Sequence, residues 1–258
     1  MSTALIGYTG FVGSTLLRQT SFVDLYNSTN IHEIQGRSYN LIVCAGAPAA
    51  KWIANSEPDK DLANLQFLMD NLKKVSAEKF LLISTIDVYK MPPAVDEDTI
   101  IDPGLLDSYG RHRFFLEEFV RQNFSNASIV RLPGLFGEGL KKNFIFDLMN
   151  TGKSEWTHCE SAFQFYDMQT LWADVQRSIA LDLPLVNFAT EPVKAREVAK
   201  NCFGIDFTNA TQKPPVFYDM RSKFAALFGS ETAYFYSAEE TYLRIRTFVQ
   251  SQREQYSR

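Results

Sequence analysis

The sequence predicts an α/β fold, a doubly wound parallel sheet covered by helices on both faces. Short continuous apolar runs alternate with amphipathic helical patterns along most of the chain, and the first run ends in glycines at positions 7, 10 and 13. Strands buried on both faces read as unbroken apolar runs, and parallel neighbours need helical crossovers between them. A chain of 258 residues, 45% hydrophobic and 22% charged, has the length and composition to bury such a core.

Strands are expected at residues 4–6, 41–45, 80–84, 128–132 and 185–188, with a shorter, mixed one at 23–26. Helices are expected after Gly13 and at 61–75, 109–123, 144–151, 171–181 and 238–252. Residues 208–216, with Pro214 and Pro215, read as a loop.

The first strand turns directly into a helix through Gly7-Tyr8-Thr9-Gly10-Phe11-Val12-Gly13. Such a turn leaves the first N–H groups of the helix unpaired at the positive end of its dipole, which attracts phosphate. Glycines let the turn fold back and let a pyrophosphate approach the backbone. A dinucleotide is therefore the expected ligand, and the fold is of the Rossmann type. Proteins selective for NAD place a carboxylate at the end of the second strand, on the ribose 2′-OH. If that strand ends near Tyr26, neutral Asn27 and Ser28 stand there and NADP is favoured; an end nearer Asp24 would favour NAD.

Ligands in such sheets sit beyond the carboxyl ends of the strands. Ser84 and Thr85 fall at the end of the run 80–84, and Tyr109 opens a helix with Arg113 one turn later. A phenol beside a cation has a favoured phenolate and can pass a proton. Thr85 can hold a substrate oxygen beside it. His112 is expected on the exposed face of that helix.

The formal net charge of −4, without a basic cluster, argues against nucleic acid and anionic membranes as partners. No apolar run is long enough to span a bilayer, and the N-terminal run is too short and glycine-broken for a signal peptide. Cys44, Cys159 and Cys202 are odd in number and widely spaced, so neither a disulfide framework nor a metal site is expected, and a cytoplasmic protein fits.

In order along the chain, these segments resemble the extended short-chain dehydrogenases/reductases of the nucleotide-sugar epimerase, dehydratase and reductase group. Gly7 to Gly13 is similar to the family's glycine motif, and Cys44-Ala45-Gly46-Ala47 to the strand end that lies along the cofactor. Asn30-Ile31 resembles the pair bordering adenine, and Asn64 stands where the family has a helical Asn. Ser84-Thr85-Ile86-Asp87-Val88-Tyr89 resembles S-[ST]-x-x-V-Y, and Tyr109 matches the Tyr of Y-x-x-x-K, with Arg113 in place of the Lys. Arg131-Leu132-Pro133 opens a segment, ending at Gly137, like the one near the nicotinamide, and Asn143 stands where relatives contact the nucleotide diphosphate.

The resemblance implies an NAD- or NADP-dependent enzyme acting on a nucleotide-linked sugar. Thr85, Tyr109 and Arg113 would be catalytic, Arg113 also gripping the cofactor ribose. Thr85, Asp87 and Asn143 would meet the substrate. Gly7 to Gly13, Asn27, Ser28, Asn30, Ile31, Ala45, Gly46, Ala47, Asn64, Ser84, Leu132 and Pro133 would line the cofactor. Asp87 stands where dehydratases carry Glu, but Ile86 replaces their preceding Asp, which argues against dehydration. Arg is planar and longer than Lys, so the exchange at 113 is not conservative. The alternative is a cofactor-binding scaffold or redox sensor without turnover. Residues 1–135 are expected as the dinucleotide-binding domain, its core also taking in 160–190, and 136–258 mainly as a small substrate-binding cap. A homodimer is the expected assembly.

Overall fold

The structure, a computed structural model, describes residues 2–90 and 94–256, so Met1 of the N-terminal run lies outside it. In chain order the elements are β1 (Thr3–Ile6), α1 (Phe11–Gln19), β2 (Asp24–Tyr26), β3 (Ser38–Cys44), α2 (Lys51–Ser56), α3 (Pro58–Leu72), β4 (Ser76–Thr85), α4 (Ser108–Asn123) and β5 (Ala127–Leu132). There follow β6 (Gly134–Phe136), α5 (Phe144–Thr151), β7 (Ala162–Phe163), β8 (Phe165–Asp167), α6 (Leu171–Ala180), β9 (Leu185–Asn187), β10 (Val193–Lys194), α7 (Ala195–Val198) and α8 (Ala238–Tyr256).

The chain divides into two compact units, one of Met1–Lys90, Ile100–Arg131 and Leu171–Val186, the other of Met91–Thr99, Leu132–Thr170 and Asn187–Arg258. The first unit holds a parallel six-stranded sheet in the order β2-β1-β3-β4-β5-β9. β1 lies between β2 and β3, with Ile6 opposite Tyr26 on one side and Cys44 on the other. The order reverses at β1, so right-handed crossovers put α1 on one face and α3 and α4 on the other. Along the strands, Ala4, Ile6, Ile42, Cys44, Phe80 and Leu82 pack with Leu65, Leu68 and Leu72 of α3 and Leu116 and Val120 of α4. The alternating residues Leu5, Val43 and Leu81 are equally buried, on the face where α1 pairs with α6. The doubly wound fold is as the sequence predicts.

The second unit is built from two-stranded pairs, β6 with β8 and β7 with β10, around a core that joins Phe136, Phe144, Phe165 and Val198 to Ile245 and Val249 of α8. The excursion 94–99 is bound into this unit: the Glu97 carboxylate accepts from the Asn187 N–H at 2.8 Å, the Ser222 hydroxyl at 2.7 Å and the Lys223 N–H at 2.9 Å.

In the first unit, Arg131 at the end of β5 and Glu117 on α4 are both almost wholly buried. The guanidinium grips the carboxylate in bidentate fashion, Nε to Oε1 at 2.9 Å and Nη2 to Oε2 at 2.5 Å. Its Nη1 donates to the Tyr89 hydroxyl at 2.6 Å, and the Ser84 hydroxyl donates to Glu117 at 2.6 Å. One ion pair thus fixes β4, α4, β5 and the segment after β4 together. Removing one member of a buried pair leaves an uncompensated charge. Arg131→Met is expected to lower stability by about 3–5 kcal/mol, measured by urea unfolding. The double replacement Arg131→Met with Glu117→Leu should lose less than Arg131→Met alone.

Candidate active site

The turn after β1 closes on itself through backbone bonds. The Gly7 N–H donates to the Tyr26 carbonyl at 2.7 Å, the Gly10 N–H to Gly7 at 3.0 Å and the Ser14 N–H to Gly10 at 2.8 Å. Gly7 has φ of +84°, and a Cβ there would sit 2.3 Å from the Ala45 carbonyl oxygen. A Cβ on Gly13 would lie 2.1 Å from the Gly7 oxygen, so both positions are glycine for reasons internal to the fold. Gly10 differs. Its backbone is extended, and a Cβ would meet only the Gly7 oxygen, at 3.3 Å. It caps α1 without a side-chain hydrogen bond, leaving the N–H groups of Phe11, Val12 and Gly13 ahead of the first helical bond. The residues present fit a pyrophosphate at this turn.

β2 ends at Tyr26, as expected, so Asn27 and Ser28 follow it directly. Asp24 lies at the other end of the strand, held by Arg37 at 3.1 Å and the Tyr39 hydroxyl at 2.7 Å. The loop is tied internally: Asn27 N–H donates to Asn30 at 2.7 Å, the Asn27 amide to the Tyr8 hydroxyl at 3.3 Å, and the Asn30 amide to the Leu25 carbonyl at 3.0 Å. Ser28 is exposed and Ile31 buried. After β3, the Ala45 N–H donates to the Ile6 carbonyl at 2.9 Å, and Ala45, Gly46 and Ala47 are half-buried. Asn64 is exposed on α3.

At the carboxyl end of β4, Thr85 stands beside Tyr109, which α4 brings in through its first turn, and its hydroxyl is near enough to favour the phenolate. The approach is close because residue 110 is glycine: a Cβ there would fall 2.1 Å from the Asp87 carbonyl oxygen. Thr85 Oγ1 also accepts from the Asp87 N–H at 3.2 Å and lies 3.4 Å from its carboxylate. Asp107 caps α4 by accepting from the Gly110 N–H at 2.9 Å.

Three features of the site depart from the sequence expectations. His112 is not exposed but buried, its Nδ1 2.8 Å from the Asp61 carboxylate, because α3 packs over that face of α4. Arg113 lies over the Tyr109 ring, its Cζ 4.1 Å from the centroid, while its two terminal nitrogens donate to Asp61 and to the Pro48 carbonyl. The guanidinium expected on a ribose is thus already committed, and only its buried Nε has no hydrogen-bond partner among the described residues. The Tyr109 phenol, expected to be lowered by Arg113, is instead held above its ordinary range, chiefly by burial and then by the Asp87 carboxylate. Arg113, the Thr85 hydroxyl and Lys51 act in the lowering direction but are outweighed.

Four polar residues of this site escaped the sequence reading. Lys51 Nζ pairs with Asp87 at 2.6 Å and with Asp107 at 3.6 Å. Asn55, one turn along α2, accepts from the Tyr109 N–H at 2.9 Å and donates to Asp107 at 3.2 Å. Asp61 is the fourth, beside Asp107. An Asp immediately before a helix is a capping signal, and Pro58 at the first turn of α3 marks a start that puts Asp61 inside the helix rather than at its edge.

In the second unit, Leu132 and Pro133 are buried and Asn143 caps α5. The Asn143 amide accepts from the Phe146 N–H at 3.0 Å and donates to the Leu135 carbonyl at 2.8 Å. Among the described residues no group of side chains is placed to hold a metal ion, and no helix is long and apolar enough to cross a membrane.

No protein-family model and no curated protein sequence matches the chain. Solved structures do. MoeE5 in complex with UDP-glucuronic acid and NAD is similar over 99% of this chain and 100% of its own, with a TM-score of 0.77 and 13% identity. The dTDP-4-dehydrorhamnose reductase of Bacillus anthracis in complex with NADP matches over 97% of this chain and 99% of its own, at TM-score 0.75 and 16% identity. RMD from Pseudomonas aeruginosa complexed with NADPH matches over 97% and 100%, at 0.68 and 17%. At these identities the likeness is one of fold.

The glycine analysis separates stability from binding. Gly13→Ala should lower the unfolding free energy by about 1–3 kcal/mol through overpacking, whereas Gly10→Ala should leave thermal unfolding nearly unchanged. Gly10→Val should abolish the NADPH fluorescence change on titration. Equal thermal effects at positions 10 and 13 would remove the distinction.

Proposed function

We propose that this chain is an NAD(P)-dependent oxidoreductase or epimerase of nucleotide-linked sugars, with Tyr109 as its general acid–base. The observation that carries the reading is the placement of Thr85, at the end of β4, beside Tyr109, in the first turn of α4, in the same unit whose first β–α turn is bare at Gly10. Solved structures of this fold hold NAD with a UDP-sugar, NADP, or NADPH. A nicotinamide, when bound, supplies or accepts the hydride. The chain's own residues handle the proton. Thr85 orients the sugar oxygen, and Tyr109 gives that oxygen a proton in reduction and takes one back in oxidation. Epimerisation through a keto sugar uses both directions in turn.

A phenol held above its ordinary range stays protonated at neutral pH and is poised to give its proton to the oxygen of a keto sugar. Rates of reduction should be flat through neutral pH and fall only on the alkaline side. Oxidation of the corresponding alcohol should rise with pH toward the same limb. The phosphate cradle would be the N–H groups of Phe11 and Val12 with Gly10, and Ala45, Gly46 and Ala47 would border the cofactor. Neutral Asn27 and Ser28 after β2 favour NADP, and Asn27→Asp should shift relative affinity toward NADH.

One observation favours a second reading, a cofactor-binding scaffold: the Arg113 guanidinium is tied to Asp61 and Pro48. Turnover over a panel of nucleotide-linked keto sugars, read by nicotinamide absorbance and by product analysis, separates the two. Tyr109→Phe should keep cofactor affinity and lose about 10²–10⁴ in rate. Tight NADPH binding without turnover of any panel member, in wild type and in Arg113→Lys alike, would establish the scaffold instead.

A further inference from the structure

We propose that Lys51 is a positioning residue for the proton chemistry of Tyr109, acting through Asp87: it holds and neutralises the carboxylate that borders the Thr85–Tyr109 pair. This rests on Tyr109 being the acid–base group. Arg113 sits at the place where the resemblance puts a mobile Lys, yet both its terminal nitrogens are committed to Asp61 and Pro48. It offers Tyr109 the face of a fixed guanidinium. Carboxylates border the phenol as well. Asp87, two residues past Thr85, lies within hydrogen-bond distance of the Thr85 hydroxyl, and Asp107 stands at the start of the helix carrying Tyr109.

Lys51 reaches both carboxylates, Asp87 at 2.6 Å and Asp107 at 3.6 Å. It therefore bridges the two segments that deliver Thr85 and Tyr109. Its partner one turn along α2, Asn55, fixes the Tyr109 backbone N–H. An ammonium on a flexible stem suits this task, since it meets two carboxylates as a point charge without the fork geometry of Arg. Without it, the Asp87 carboxylate would oppose ionisation of the phenol more strongly. The Lys51 side chain is 41% exposed, so its charge is in contact with solvent and its pairing weakens with salt. The charged groups around the phenol are then Lys51 from α2, Asp87 from the segment after β4, and Asp107 and Arg113 from α4, with Asp61 of α3 and His112 behind Arg113.

The full chain with 3-fluorotyrosine at position 109 gives a fluorine NMR titration that needs no turnover. Lys51→Met should raise the pKa of that phenol by about one unit, Lys51→Arg should restore most of it, and Asp87→Asn should lower it. In the Asp87→Asn background, Lys51→Met should raise it by clearly less, since only the direct pull of the ammonium remains to be lost. A phenol unmoved by Lys51→Met, or one moved equally with Asp or Asn at 87, would overturn the proposal, because a merely structural role does not depend on the charge at 87. With a panel sugar that turns over, Lys51→Met should cut kcat by about tenfold, less than loss of the acid–base itself, with KM little changed and the alkaline limb displaced upward in step with the NMR value. A wild type that turns over no panel sugar defeats the proposed function, and the fluorine titration still decides the role of Lys51.

Discussion

The first unit depends on a single buried charge. Glu117 has no exposed surface, and its two carboxylate oxygens are shared among Arg131, Ser84 and Arg121. An isolated carboxylate at that depth would be prohibitively costly, so the residues that satisfy it are held to fixed positions. Those positions lie on β4, α4 and β5. Ser84 is the neighbour of Thr85, and Glu117 lies two helical turns beyond Tyr109. The placement of Thr85 and Tyr109 is therefore inherited from an ion pair that touches neither hydroxyl.

A second buried cluster orients the same helix from the other side. Asp61 on α3 accepts from both His112 and Arg113, and the guanidinium is pressed onto the Tyr109 ring. Arg delivers two directed hydrogen bonds and a flat face, where Lys would deliver a point charge. Asp61 and the Pro48 carbonyl match that fork. Arg113 thus has partners suited to its two terminal nitrogens, and its guanidinium lies over the ring of the phenol.

The sheet and the glycine turn were legible because their causes are local. Continuous apolar runs at residues 41–45 and 80–84 became the interior strands β3 and β4, and 144–151 became α5 with the same limits. β2 ends at Tyr26 as read, since a strand of three residues is bounded by the Asn-Ser-Thr-Asn loop after it. The polar surroundings of Tyr109 were not legible. α2 is six residues with an exposed Trp52, too short for a periodicity, and Lys51 meets Asp87 across 36 residues of sequence. His112 is buried rather than exposed because α3, which begins at Pro58, turns Asp61 inward against it. The excursion 94–99 belongs to the second unit through Glu97, whose partners lie about a hundred residues away and leave no local trace.

The charges around Tyr109 also carry a direction. Asp61, Asp87 and Asp107 face Lys51 and Arg113, three carboxylates against two cations, with His112 bound to one of the former. A local excess of negative charge, added to burial, opposes a phenolate. The phenol therefore keeps its proton until something takes it, which is the requirement on the acid that completes a carbonyl reduction. A site built to abstract protons would need the balance reversed, and the arrangement of Asp87 beside Thr85 works against that reversal. The protonation of the phenol thus rests first on its burial and then on the Asp87 carboxylate beside it.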